Sequence, residues 1–163
     1  MNLIYISFLF GNSSTVIVGI LFCFMHAILS SLMFFLVDCI QKRYNSRSIV
    51  EVSGILNTSP NLGLSIILMC IYYMGLPGTL KFSCELMLFS CVLDISFFLF
   101  LIILFSANFL APVAFCKSWY GCVFGTPYKK HNNIDDLDTK EFYIIVFCLF
   151  SLFFITGLFL RLM

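Results

Sequence analysis

Charge is scarce in this sequence: nine Lys and Arg and eight Asp and Glu among 163 residues leave a net charge of +1. A water-facing surface needs roughly 25% charged residues, and 10% charged against 61% apolar excludes a soluble globule. So small a positive excess, with no basic cluster interleaved with stacking aromatics, excludes nucleic-acid binding. Disorder requires low hydrophobicity and high net charge, the reverse of a mean hydropathy of +1.06. The eight cysteines, Cys23, Cys39, Cys70, Cys84, Cys91, Cys116, Cys122 and Cys148, contain no CxxC pair and lie in apolar stretches. They point to buried free thiols rather than disulfides, a metal site or an iron–sulfur cluster. Residues 1–10 lack the basic start and small-residue cleavage site of a signal peptide. No glycine-rich phosphate loop, HExxH or GxSxG is present, and His131 has no companion histidine with which to bind a metal, which argues against a membrane hydrolase.

What the sequence has instead is phenylalanine, 21 of 163 residues, beside much Leu, Ile, Ser and Cys, a composition typical of thymine-rich organellar coding. With a rise of about 1.5 Å per residue and a hydrocarbon core about 30 Å thick, a membrane helix needs about 20 residues. On that ruler the chain is a single all-α membrane domain over residues 1–163, a polytopic bundle with about five spans at residues 15–40, 62–76, 79–92, 95–116 and 142–160. Residues 3–10 are apolar but too short to cross, and Gly11-Asn12-Ser13-Ser14-Thr15 separates them from the first span. That span ends at Gln41 to Arg47, whose basic stems can snorkel to the interface.

The apolar stretch 62–92 is interrupted by Gly75-Leu76-Pro77-Gly78-Thr79. Pro77 has no N–H for a helix, and Gly75 and Gly78 weaken it on both sides, so the backbone is expected to open there. Two short spans are expected, with one interrupted span as the alternative. The choice decides whether the polar connection 117–141 lies opposite the Lys42–Arg47 loop or on its side. Lys42, Arg43 and Arg47 make the first loop basic, whereas Asp135, Asp136, Asp138 and Glu141 outweigh Lys129, Lys130 and Lys140 in the second. The first loop would then lie inside, but neighbouring subunits can override that rule, and no orientation is assigned.

An ionisable side chain near the bilayer centre costs about 2.5–3.5 kcal/mol on insertion scales and demands a partner, a wet cavity or a function. Glu85 is such a residue, one to two turns beyond the Pro77 break. Burial opposes its ionisation and a nearby cation favours it, so a small rearrangement moves its proton, as a relay requires. Lys81, four residues earlier on the same helical face, supplies the bland alternative of simple neutralisation. His26, midway along the first span with Ser30 and Ser31 nearby, reads either as a proton-passing imidazole or as a packed histidine bonded to a serine or carbonyl. Asp94 and Lys117 read as interfacial anchors at span ends, and Asp38 as the partner of Lys42.

Taken together, the segments His26-Ala27-Ile28-Leu29-Ser30-Ser31-Leu32-Met33-Phe34, Arg43-Tyr44-Asn45-Ser46-Arg47, Gly54, Pro60 and Gly75-Leu76-Pro77-Gly78-Thr79 with Phe82 and Glu85 show a family pattern. They closely resemble the carboxy-terminal part of the NADH dehydrogenase subunit 4 family, antiporter-like proton-pumping subunits of respiratory complex I. Tyr120-Gly121 to Phe124-Gly125 and Asp136-Leu137 to Glu141-Phe142 look like that family's last loop and final helix. Sister subunits usually carry lysine where Glu85 stands. The resemblance implies proton-transfer roles for Glu85 and His26, modulated by Lys81, and a broken helix at Gly75, Pro77 and Gly78. It implies the mitochondrial inner membrane, other membrane-arm subunits as partners, and no cofactor in this chain, with flavin, iron–sulfur clusters and ubiquinone held by other subunits. Lys81 departs from the family, which commonly has a small or neutral residue there. The family's acidic and basic residues of the first half have no counterpart here, so a second chain is expected to supply that half, or the fragment has become structural. A bacterial-type cation/proton antiporter subunit is a further reading of the same ancestry.

Overall fold

The computed structural model describes residues 2–46, 48, 51–94, 96–126 and 135–162, and every regular element among them is a helix. These are α1 (Asn2–Leu9), α2 (Ser13–Tyr44), α3 (Ile55–Thr58), α4 (Pro60–Met74), α5 (Leu80–Leu93), α6 (Phe97–Phe105), α7 (Ala111–Phe124) and α8 (Thr139–Leu162), with a π-helical turn at Ser106–Leu110 joining α6 to α7. Arg47, Lys129, Lys130 and His131, and the expected span start at Ile95, lie outside the described residues.

Helix α2 is the axis of the bundle. Its buried residues Val18, Phe22, Met25, Leu29, Leu32 and Leu36 recur every three or four positions and form one stripe. α4, α5 and α8 pack around it. Its other face leaves large apolar groups such as Ile20 and Phe34 exposed. In lipid this costs nothing, because association between helices there comes from close packing rather than from escape from water.

Contacts at the two ends of α2 set the direction of every pass. Tyr44 Oη lies 2.5 Å from Thr58 Oγ1, just before α4 begins. Ser14 Oγ lies 3.9 Å from Cys91 Sγ, near the end of α5. α4 and α5 therefore follow one another along α2 in the opposite direction. α8 repeats that path: Arg43 meets Glu141 at its start, Tyr72 donates to the Leu149 carbonyl at 2.9 Å, and the helix packs against both α4 and α5. Residues 97–124 make the return pass, with Phe115 stacked on Tyr73 at 5.2 Å and Ser53 donating to the Thr126 carbonyl at 2.7 Å.

Of the two readings left open for 62–92, two short spans or one interrupted span, the contacts along α2 favour the interrupted one. α4 and α5, with 15 and 14 residues, are each shorter than a bilayer core, and together they make one interrupted pass. Among the described residues, both polar loops lie at the same end of the bundle. By length and composition Ser13–Tyr44, Phe97–Phe124 and Thr139–Phe159 are each able to cross a membrane.

Two element ends also differ from expectation. α2 continues to Tyr44, where Asn45 at φ 52° closes it in the left-handed region. The helix expected to stop at residue 116 continues to Phe124, and Lys117 is an exposed residue within α7. The π turn inside that pass has a local cause: Pro112 has no N–H for the Asn108 carbonyl, and the preceding turn widens. Asp94 does end α5, exposed, and Lys42 holds Asp38 at 2.7 Å. All eight cysteines are free; Cys39, Cys84 and Cys122 are buried, whereas Cys23 is exposed because it stands on the outer face of α2.

Gly63 lets α3 fold tightly over the start of α4, since a Cβ built there would lie 2.9 Å from the Leu56 Cα. A backbone atom cannot swing aside, so Gly63→Ala is expected to cost about 1–3 kcal/mol through overpacking. Heat-induced dissociation of the assembled protein should then shift to lower temperature, and an unshifted midpoint would show that the corner yields freely.

Candidate functional site

The interruption between α4 and α5 is built from two complementary helix ends. α4 stops at a left-handed glycine, Gly75 at φ 74°, and the N–H groups of Gly75 and Leu76 donate to the Tyr72 and Ile71 carbonyls at 3.3 and 3.4 Å. This is a Schellman closure, and it leaves the Tyr73 carbonyl without a helical donor. Pro77 and Gly78, at φ 96°, carry the chain through the turn. Thr79 then caps α5, its hydroxyl accepting from the Phe82 N–H at 3.4 Å. The negative end of one helix dipole and the positive end of the next thus face a common gap.

Lys81 and Glu85 occupy that gap. The Lys81 ammonium donates to the Tyr73 carbonyl, closing the acceptor left over by α4. Glu85 is only 2% exposed, and its Oε1 is the buried side-chain oxygen without a hydrogen-bond partner among the described residues. Lys81 Nζ lies 3.6 Å from that atom, close enough to attract it and too far to hydrogen-bond it. Gly75 makes room for both: a Cβ there would lie 3.2 Å from Lys81 Cδ and 3.3 Å from Glu85 Oε2. Glu85 stands nine residues before Asp94, about 14 Å along the helix from that end of the bundle.

His26 is not part of this contact set. Interpolating between the Tyr44–Thr58 and Ser14–Cys91 pairs puts it near the height of Pro77 and Gly78 on α2, on the flank of the buried stripe and half-buried. No hydrogen bond or ion pair joins it to Glu85 or Lys81 among the described residues. Ser30, one turn on, donates to the His26 main-chain carbonyl at 2.5 Å.

A second polar cluster lies at the loop end, and sequence reasoning missed it. Arg43, assigned to an interface-facing loop, turns inward with its side chain 13% exposed. It donates to the carbonyls of Cys39, Asp135 and Asp136 at 3.1–3.2 Å and to Glu141 Oε2 at 2.5 Å. The Asp136 carboxylate accepts from the Asn61 and Leu62 N–H groups at 2.9 and 3.2 Å, capping α4 from a loop 74 residues away. Glu141 also accepts from the Asp138 N–H at 3.2 Å, the back-bond of a capping box for α8. That last feature was readable as Asp138-x-x-Glu141; the long-range cap was not. No group of three His, Cys, Asp or Glu side chains able to hold a metal occurs among the described residues.

Comparison with known proteins agrees with this architecture. The family described as NADH:quinone oxidoreductase/Mrp antiporter, transmembrane, matches residues 1–111. The chain is 43% identical over 159 residues to NADH-ubiquinone oxidoreductase chain 4 of Paramecium tetraurelia, covering 97% of this chain and 34% of that protein. It is 27% identical over 131 residues to the protein of the same name from Acanthamoeba castellanii, covering 79% and 26%. The chain thus spans about a third of the first relative's length and about a quarter of the second's.

Proposed function

Since the chain belongs to the NADH:quinone oxidoreductase/Mrp antiporter transmembrane family, we propose that it forms the carboxy-terminal part of a proton-translocating subunit in the membrane arm of respiratory complex I. The observation that carries the reading is the Glu85 carboxyl, buried at a break between two helix ends, with Oε1 unbonded and a lysine 3.6 Å away. A buried acid in that state changes charge with little structural work, because the attraction that would hold its anion is near but unmade. Redox chemistry elsewhere in the complex would alter the charge along the membrane arm, Glu85 would gain or lose a proton in response, and His26, level with the Pro77–Gly78 turn, would pass it on through water. Flavin, iron–sulfur clusters and ubiquinone would be held by other subunits. The partners would be other membrane-arm subunits, including a chain that supplies the amino-terminal part, in the mitochondrial inner membrane.

The test is Glu85→Gln in the assembled complex in vesicles. NADH oxidation and assembly should persist, while protons moved per NADH fall by the share this subunit carries. An unchanged ratio rejects the role. A structural subunit that no longer moves protons is the second reading, favoured by the approach of Lys81 to Glu85, and it predicts that unchanged ratio. Co-purification should also recover a polypeptide carrying the missing part; its absence would favour the structural reading.

A further inference from the structure

Lys81 stands between two acceptors of different kinds. One is the Tyr73 carbonyl, the acceptor that the turn at Gly75 leaves over, where aligned peptide dipoles favour a cation. The other is Glu85 Oε1, 3.6 Å from the same nitrogen. A charge-assisted N–H···O bond is about 2.8 Å long, so a shift of roughly 1 Å would make it. An ammonium on a flexible four-carbon stem can make that shift at small cost. A Cβ at Gly75 would press on the Lys81 stem at 3.2–3.3 Å, and glycine removes that contact.

We infer that Lys81 is a positioning residue with two seats: its ammonium holds the end of α4 while Glu85 is protonated and swings to the Glu85 carboxylate when the proton leaves. The inference rests on the reading of Glu85 given above. A neutral carboxyl needs no counter-ion, and the dipole end of α4 then keeps the cation. An ionised carboxylate in a buried gap outcompetes a partial charge of about one half. Moving to it uncaps α4, so the charge on Glu85 reaches the joint between the two half-helices. The other titratable side chains close in sequence or height are Tyr72 and Tyr73 of α4, Cys84 of α5, His26 of α2, Cys116 of α7, whose Sγ lies 3.9 Å from Met74 Sδ, with Lys117 beside it, and Cys148 of α8; α6 has none. No hydrogen bond or ion pair joins any of those side chains to Lys81 or Glu85 among the described residues.

The experiment uses the assembled complex in vesicles and measures protons moved per NADH oxidised for Glu85→Gln, Lys81→Met, the double variant and Lys81→Arg. Lys81→Met should fall to the Glu85→Gln ratio, and the double variant should fall no further, because lysine acts through the carboxyl. Lys81→Arg should assemble fully yet lose proton movement, since a guanidinium fork can bond both seats at once and stay there. Glu85→Gln lowering the ratio while Lys81→Met leaves it unchanged would overturn the two-seat role and leave the proposed function standing. Full proton movement in Lys81→Arg would also overturn it, and that arm decides the matter should Lys81→Met fail to assemble. An unchanged ratio in Glu85→Gln would remove the proposed function and this inference together.

Discussion

Replacing Arg43 by alanine is expected to lower the abundance of the assembled protein and open the 135–138 segment before α8 to protease. The guanidinium makes five donor contacts, one to the Cys39 carbonyl within α2 and four that tie the end of α2 to the 135–141 segment, including one to the Glu141 carboxylate. Its loss leaves three carbonyls and a carboxylate short of a donor. Breaking a fully buried pair costs about 3–5 kcal/mol. Glu141 is a quarter exposed, so water recovers part of that, and about 2–4 kcal/mol is the expected loss. The effect should spread, because the same segment carries Asp136, which caps α4. Arg43→Lys should give an intermediate result, since an ammonium keeps the charge and loses the fork that reaches several oxygens. Native-gel abundance and limited proteolysis of the assembled protein measure both; wild-type abundance and protection in Arg43→Ala would show that the clamp contributes nothing.

Under the proposed function, a methyl group at Gly75 should damage proton movement more than one at Gly78. Both glycines have positive φ, 74° and 96°, so either alanine variant strains the backbone by about 1–2 kcal/mol. Their surroundings differ. A Cβ at Gly75 presses on Lys81 and Glu85 within 3.3 Å, whereas a Cβ at Gly78 meets nothing within 4 Å. The pair therefore separates strain from contact. Both variants should lose thermal stability by similar amounts, and Gly75→Ala alone should lower the protons moved per NADH oxidised. Equal ratios in the two would mean that the lysine and glutamate adjust to the methyl group without functional loss.

The element types were legible from local physics. Apolar runs long enough for a bilayer became helices α2, the 97–124 pass and α8, and the Gly75, Pro77 and Gly78 cluster opened the backbone where its residues forbid regular hydrogen bonding. Asp38 and Lys42 paired because four residues make one helical turn. The errors arose where distant parts of the chain meet. Arg43 looked like an interface charge because its acceptors lie more than 90 residues away. The choice between two short spans and one interrupted span stayed open because two short helices look the same in sequence whether the chain reverses between them or continues.

Composition and periodicity alone determined that this chain is a membrane helix bundle holding an acid where lipid would not tolerate one, since cost of transfer depends on residue type and spacing. The tertiary structure alone decided that α4 and α5 form one interrupted pass, that both polar loops share an end, and that Lys81 reaches the Tyr73 carbonyl as well as Glu85. Those outcomes depend on which helix ends are held against α2 and on how a turn of five residues aims the next helix. Such directions are set by packing and long-range hydrogen bonds, which the order of residues encodes only through the folded whole.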